Sequence, residues 1–472
     1  MNNNCLIWFR KDLRLHDNPA IDATKDFHHV YPLFIIDNDI YENISLGGAS
    51  TWWLENSLKS LDLSLNKTLK IFKGDSLKII PKLCEELKVN SVFWNRCYEQ
   101  DRIAKDTKLK NYLLANNINA KSFNSNLLWE PWTIKNKSGN PYKVFTPFYK
   151  SGCLESSLPR NPIKKPEKIL FKKITTNIEE YKFNYTLKKN HWSSKFNKYW
   201  QVGEIGAKQN LDRFFNQGAK NYSIGRNFPA SENVSRLSPY LHWGEISPFE
   251  VWHSANKKMS GDNKKVFLSE IGWREFSYHL LYNFPNLQEN NLKNNFDNFP
   301  WIEDEVLLRK WEKGNTGYPI IDAGMRELWE TGYMHNRVRM ITSSFLVKNL
   351  LQHWKHGKNW FWDCLLDADA ASNSASWQWV AGTGTDATPF FRIFNPITQS
   401  QKFDGTANYI KKYLPELKNL PNKLIFSPFE CDKSTLKSYG VVLGDNYPLP
   451  IIDYSNSRKR ALNTYTHFMN KD

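Results

Sequence analysis

The sequence has little of what would mark several common classes of protein. No apolar run approaches the ~18–20 residues of a membrane-spanning helix. Its start, MNNNCLIWFRKDLRLHD, has one short apolar stretch before Arg10 and Lys11, too little for a secretory signal. Six cysteines (5, 84, 97, 153, 364 and 431) form no Cys-x-x-Cys pair, which speaks against a zinc site or disulfide frame and for reduced thiols in the cytoplasm. No metal is expected. Walker A, His-Glu-x-x-His and Gly-x-Ser-x-Gly motifs are all missing. The stretch GTGTDA at Gly382–Ala387 fits the dinucleotide fingerprint in letters only, because it follows a Trp-rich helical pattern and Pro389 keeps a helix from opening there. His353 and His356 can share a helix face but have no third ligand.

What is present is positive charge and aromatic surface. There are 64 Lys and Arg against 48 Asp and Glu, a net +16, with 19 Trp, 21 Tyr and 29 Phe. That combination points to nucleic acid and to stacking against planar groups. The length predicts two or three domains. Apolar runs at Cys5–Phe9, Val30–Ile36, Leu69–Phe72, Ser91–Trp94 and Ile118–Phe123 alternate with helical patterns at Ser50–Leu65, Leu77–Leu87 and Arg102–Ala115. Alternation of this kind predicts a doubly wound α/β domain with a parallel five-stranded, Rossmann-like sheet over residues 1–130. Residues 131–196 lose periodicity, gain proline and lysine, and read as an inter-domain connection. From 197 to 472 the amphipathic patterns (Ala207–Phe215, Lys265–Phe284, Glu305–Trp311, Ala323–Thr331, His335–His353 and Trp360–Leu366) predict an all-α domain.

Three of these helical stretches concentrate chemistry. Glu270, Trp273, Arg274 and Ser277 share one helix face by spacing, and so do Asn336, Arg339, Met340 and Ser343. Between Asp367 and Trp379 lie two acids, the amide Asn373 and the indoles Trp377 and Trp379, among small apolar residues. Carboxylates buried there need a cation, hydrogen-bond donors or a ligand rich in N–H and O–H groups, and Arg339 is the cation to hand.

The segments WFRKDLRLHDN (Trp8–Asn18), KVFTPF (Lys143–Phe148), SRLSPYLHWGEISP (Ser235–Pro248), WREF (Trp273–Phe276), Gly317–Lys348 and Asp367–Pro396 resemble the photolyase/cryptochrome family. Within it the chain is most similar to the bacterial class I and class III cyclobutane pyrimidine dimer (CPD) photolyases, and the resemblance runs from about Leu6 to Asp453. It implies FAD in the helical domain, active as the reduced anion. Tyr222, Ser235, Arg236, Leu237 and Ser238 would hold its phosphate and ribitol side, with Val234 standing where the family has a Thr. Phe267, Arg274, Asn336, Arg339, Asp367, Asp369 and Asn373 would surround the cofactor, Arg339 pairing with Asp367 and Asn373 facing flavin N5.

The implied reaction is light-driven splitting of a dimer flipped out of ultraviolet-damaged DNA. Trp273 and Trp379 would wall the dimer and Glu270 would hydrogen-bond it. Met340 would lie under it, and Arg274, Asn336 and Arg337 would contact the lesion or its phosphates. Relatives that repair (6-4) products carry histidines at the positions of Asn336 and Met340, so the CPD is the expected substrate. Trp301, Trp354 and Trp377 match an electron-transfer chain, whereas Trp311 and Trp329 read as packing. The α/β domain would hold an antenna at Cys97 and Glu99, either 5,10-methenyltetrahydrofolate or an 8-hydroxydeazaflavin. A monomer without an obligate protein partner is expected. The competing expectation is a cryptochrome-type blue-light receptor that does not repair; against it, no long tail follows the last family motif.

Overall fold

The computed structural model describes residues 3–37, 46–182 and 192–470. All five predicted strands form: β1 (Asn4–Phe9), β2 (His29–Ile36), β3 (Lys70–Lys73), β4 (Ser91–Asn95) and β5 (Asn119–Phe123). They pair in parallel in the order β3-β2-β1-β4-β5, so the chain reverses its direction of winding between β1 and β4. Both faces of β1 and β4 are buried, which is why these strands read as unbroken apolar runs. Helices α1 (Gly48–Ser64), α2 (Ser76–Glu86) and α3 (Gln100–Ala115) make the crossovers. Asp75 starts α2 by accepting from Leu77 N–H at 3.0 Å. Leu33, Phe72, Ile80, Leu83, Trp94 and Leu113 form the centre of this core.

The expected connection is structured where it is described; residues 183–191 of it lie outside the described residues. Lys172 N–H donates to Val30 O, Val30 N–H to Leu170 O, and Tyr181 N–H to Ile71 O. Ile174 enters the α/β core. The segment thus covers backbone on β2 and β3 that would otherwise form an open sheet edge.

By packing, the chain separates into two compact units: Met1–Asn216 with Ser235–Pro285, and Gln217–Val234 with Asn286–Asp472. The first holds the sheet together with α4 (Ser238–Trp243) and α5 (Gly261–Asn283). The second holds α6 (Pro319–Thr331), α7 (Asn336–Ser344), α8 (Trp354–Cys364), α9 (Ala370–Ala381) and α10 (Tyr454–Met469). This grouping by packing is a different cut from the change of element type near residue 130.

The predicted helix over His335–His353 is two elements. After α7 the backbone widens into a π turn over Phe345–Asn349 and stops, with Leu351 at φ 54°. His353 then opens α8, its Nδ1 accepting from Lys355 N–H at 3.1 Å. Gly382, at φ 89°, ends α9, so GTGTDA is a helix stop and turn.

Candidate functional site

In the second unit, α7 is fixed at its first turn. Buried His335 caps it, Nδ1 accepting from Arg337 N–H at 3.2 Å. The backbone N–H of His335 donates to Glu327 Oε2 at 3.2 Å, and that oxygen also accepts from Tyr409 Oη at 2.6 Å. Burial, with Arg226, Arg337 and Arg339 nearby, pushes the His335 pKa down to about 3, so its ring is neutral and can accept. From this turn Arg339 donates through Nε to Met334 O at 2.7 Å and grips Asp367 with both terminal nitrogens, at 3.1 and 2.9 Å. Burial works against the Arg339 charge, but Asp367 outweighs it and raises the pKa. The pair resolves the buried-carboxylate problem visible in the sequence.

Asp369 caps α9, Oδ1 accepting from Ala371 and Ser372 N–H at 3.1 and 2.9 Å. The signal for this role is an Asp directly ahead of a small-residue helix. One turn on, Asn373 Nδ2 donates to Lys358 O at 3.1 Å, which leaves the amide oxygen as the atom to accept an N–H. Exposed Asn336 lies with Nδ2 3.9 Å from Met340 Sδ. Arg337 bonds Asn227 Oδ1 at 2.5 Å with its guanidinium 4.3 Å from the Phe403 ring centre. Tyr222 is buried beneath Arg226, 5.7 Å away.

The tryptophans of this unit divide clearly. Trp377 lies against the backbone of α8 at Gly357, where a Cβ would come within 2.0 Å of the indole. Trp354 opens the same helix, and His353 stands 5.6 Å from it and 5.5 Å from Trp301. Trp379 is half-buried on α9. Trp311 is core, donating to Thr342 O at 3.0 Å, as expected of packing. Trp329 is not core: it is 39% exposed and stacks flat on Trp360 at 5.9 Å.

In the first unit, Ser235–Leu237 lead into α4, Arg236 at φ 54° with its guanidinium 4.6 Å from the Trp200 ring centre. Leu237 is buried and Ser238 is exposed on the first turn. Phe267 is buried and stacks on Phe214 at 4.8 Å. On α5, Glu270 and Trp273 are half-buried, and Trp273 lies flat on Phe145 of the KVFTPF segment at 3.8 Å. The shared face expected for Glu270, Trp273 and Arg274 is only partly realised. Arg274 turns to Asn126 O at 2.7 Å and to Glu275 at 3.3 Å, so its charge is engaged within the fold. Glu275, which no sequence pattern marks, is buried and accepts from Leu128 and Trp129 N–H at 2.8 and 3.2 Å. Burial raises its pKa to about 7 against the opposing pull of Arg274 and those amides.

At the end of β4, Cys97 is buried and burial raises its thiol pKa. Glu99 pairs with Lys11 at 2.5 Å and faces Arg102 at 3.7 Å. Burial would raise its pKa, but the two cations bring it down to about 2. Both antenna candidates are therefore tied into the protein. Beside them, at the strand ends, Arg10 closes on Asp106 at 2.7 and 2.9 Å. Among the described residues no His, Cys, Asp and Glu group suits a metal ion, and no helix is long and apolar enough to cross a membrane.

A parallel α/β sheet and a helical half carrying a half-buried Arg339–Asp367 pair and the Asn373 amide oxygen make a two-part protein with a candidate site for a ligand rich in N–H and O–H groups. Residues 5–167 match the family model described as DNA photolyase, and residues 267–467 the one described as the FAD binding domain of DNA photolyase. A deoxyribodipyrimidine photo-lyase of Agrobacterium fabrum is 46% identical over 98% of this chain and 97% of its own length. Cryptochrome-1 of Arabidopsis thaliana is 35% identical over 96% of this chain and 69% of its own. The crystal structure of a class III photolyase from Agrobacterium tumefaciens superposes with TM-score 0.93 at 44% identity, covering 100% of this chain and 98% of that one. The chain belongs to the photolyase/cryptochrome family.

Proposed function

We propose that the protein is a deoxyribodipyrimidine photo-lyase: under blue light it splits cyclobutane pyrimidine dimers in ultraviolet-damaged DNA. The observation that carries this reading is Asn373, whose amide orientation leaves an oxygen to accept the N–H that a flavin bears at N5 only when reduced. FAD held here in its reduced form would supply light-driven, reversible one-electron chemistry. The residues present suit that group. Arg339, neutralised by Asp367, adds hydrogen-bonding capacity without a buried net charge. Tyr222, Ser235, Arg236, Leu237 and Ser238 are assigned to the phosphate and ribitol side, with Asp369 and Phe267 completing the surround.

Trp273 and Trp379 are assigned to stacking against the flipped bases, Glu270 to their hydrogen-bonding edges and Met340 to the apolar floor. Planar walls stabilise bases that have lost their stacking neighbours. Asn336 and Arg337 take the lesion and its phosphates. Arg274 serves by holding the loop at Asn126, to whose carbonyl its Nη1 donates. Trp301, Trp354 and Trp377 are assigned to passing electrons inward. Identity of 46% to a photolyase against 35% to a cryptochrome supports repair over signalling.

For the antenna we propose methenyltetrahydrofolate near Cys97 and Glu99, just beyond the C-terminal end of β4, where open α/β sheets bind ligands. Extraction and absorbance of the bound chromophores test this, and an extract holding FAD alone contradicts it. A cytoplasmic monomer acting on damaged DNA completes the proposal. The reaction is tested with purified, chemically reduced protein, ultraviolet-damaged oligonucleotide and blue light. Thymine absorbance recovers if the reading is right, and fails to recover despite reduced flavin if it is wrong.

A further inference from the structure

Trp354 is wholly buried, and its Nε1–H donates to Asn291 Oδ1 at 2.8 Å. Asn291 is buried too, and its Nδ2 donates to Asp297 Oδ1 at 2.7 Å. Asp297 is exposed. A surface carboxylate therefore reaches a buried indole through one amide that is hydrogen-bonded at both ends. A buried indole N–H needs some acceptor, and a plain carbonyl would serve. A carboxylate behind the amide does more: it draws on the N–H side, adds electron density to the amide oxygen and strengthens the bond to the indole.

The segment bearing Asn291 is held in register from α9. Leu292 N–H donates to Gln378 Oε1 at 2.9 Å, and Gln378 Nε2 donates to Asn290 O at 2.8 Å. Gln378 follows Trp377 in the chain, so one helix positions both a relay tryptophan and the support of the next. Lys358 also stands near the ring: its Nζ is 5.7 Å from the Trp354 ring centre and is tied to Gln288 O at 2.6 Å and Glu289 at 3.2 Å. A cation at that position opposes positive charge on the indole, and Asp297 offsets it. His353, which also faces the ring, is held neutral by burial, its pKa lowered to about 4.

We propose that Asp297, acting through Asn291, is a positioning and electrostatic device that stabilises positive charge on Trp354 while this tryptophan carries an electron vacancy. The proposal rests on the relay assignment above. Once Trp377 has given an electron to the cofactor, Trp354 gives one electron to the Trp377 radical cation. Trp377 becomes neutral and Trp354 becomes the radical cation. The Nε1 proton, now more acidic, stays on nitrogen because an amide oxygen is a weak base, and the carboxylate behind it lowers the energy of the charge. Trp301 then refills Trp354 with one electron, and a thiolate in solution, oxidised to its thiyl radical, refills Trp301.

The test uses the FAD-loaded protein with nitrogen-labelled tryptophan and the variants Asp297→Asn, Asn291→Leu and Trp354→Phe. Two quantities are read: the Trp354 indole N–H resonance in the dark, assigned by its loss in Trp354→Phe, and the rate of photoreduction of the oxidised protein in the presence of thiol. Asp297→Asn, an exposed site whose replacement leaves the core intact, is expected to shift the resonance upfield and slow photoreduction at least ~3-fold, and Asn291→Leu at least ~10-fold. An unchanged rate in Asp297→Asn overturns the proposal, with or without a shifted resonance. If Trp354→Phe itself photoreduces normally, the relay assignment falls as well. Slow Trp354→Phe beside normal Asp297→Asn removes only the carboxylate's role.

Discussion

Arg339 and Asp367 show how much single residues disclose in the sequence. Two carboxylates in a stretch of Ala and Ser needed a cation or hydrogen-bond donors: Asp367 pairs with Arg339 through two bonds, and Asp369 accepts from two backbone amides. Arg274 shows the opposite. Helical spacing placed it with Glu270, but a long flexible side chain reaches several partners, and Asn126, 148 positions away in the chain, cannot be read from a periodicity. Trp273 is proposed as a wall of the lesion site. Trp273→Ala should weaken binding of damaged oligonucleotide at least ~5-fold, since one stacked base contributes about 1–3 kcal/mol, while flavin absorbance of the purified protein stays. Binding measured by titration at fixed salt and found unchanged would remove it from the wall.

At the scale of elements, strands and crossovers were legible because buried parallel strands are written as apolar runs between turn residues. The break between α7 and α8 was not. Phe345–Leu351 is apolar apart from Lys348 and Asn349, and nothing in it announces the left-handed Leu351 or the cap at His353. Gly357 is where α8 admits α9. A methyl group there meets the Trp377 ring at 2.0 Å, so Gly357→Ala should destabilise the fold by about 1–3 kcal/mol in denaturant unfolding and slow photoreduction by displacing Trp377. Normal values of both would mean that the indole has room to move.

Glu275 ties α5 to the loop at Leu128–Trp129, and its raised pKa has a sign. The folded protein keeps this proton up to pH about 7 while the unfolded chain loses it near its ordinary value of 4.5. Its contribution, of the order of 3 kcal/mol, is full below pH 4.5 and is lost as pH rises through 7. Unfolding midpoints of the parent and Glu275→Gln should therefore converge, or cross in favour of the variant, between pH 5 and pH 8. A constant difference across that range would show Glu275 ionised throughout.

For the whole molecule, composition gave direction and position gave meaning. The +16 charge and the aromatic excess pointed to nucleic acid; the structure divides the tryptophans into a stacked Trp273, a buried Trp354 and Trp377, a core Trp311 and a surface Trp329. Which packed unit a residue joins was not legible, because residues 217–234 leave one unit for the other and return within eighteen positions. If phosphate contacts dominate, affinity for damaged DNA should fall linearly with salt on logarithmic axes, and Arg337→Ala should reduce that slope by about one. The central claim, repair of cyclobutane dimers from this site, is tested most directly with two oligonucleotides of one sequence. One carries a single cyclobutane dimer and the other a (6-4) product, each given to the reduced protein and assayed before and after blue light. The account predicts intact thymines from the first alone, with none formed in the dark; restoration of neither lesion, or of the (6-4) product alone, would contradict it.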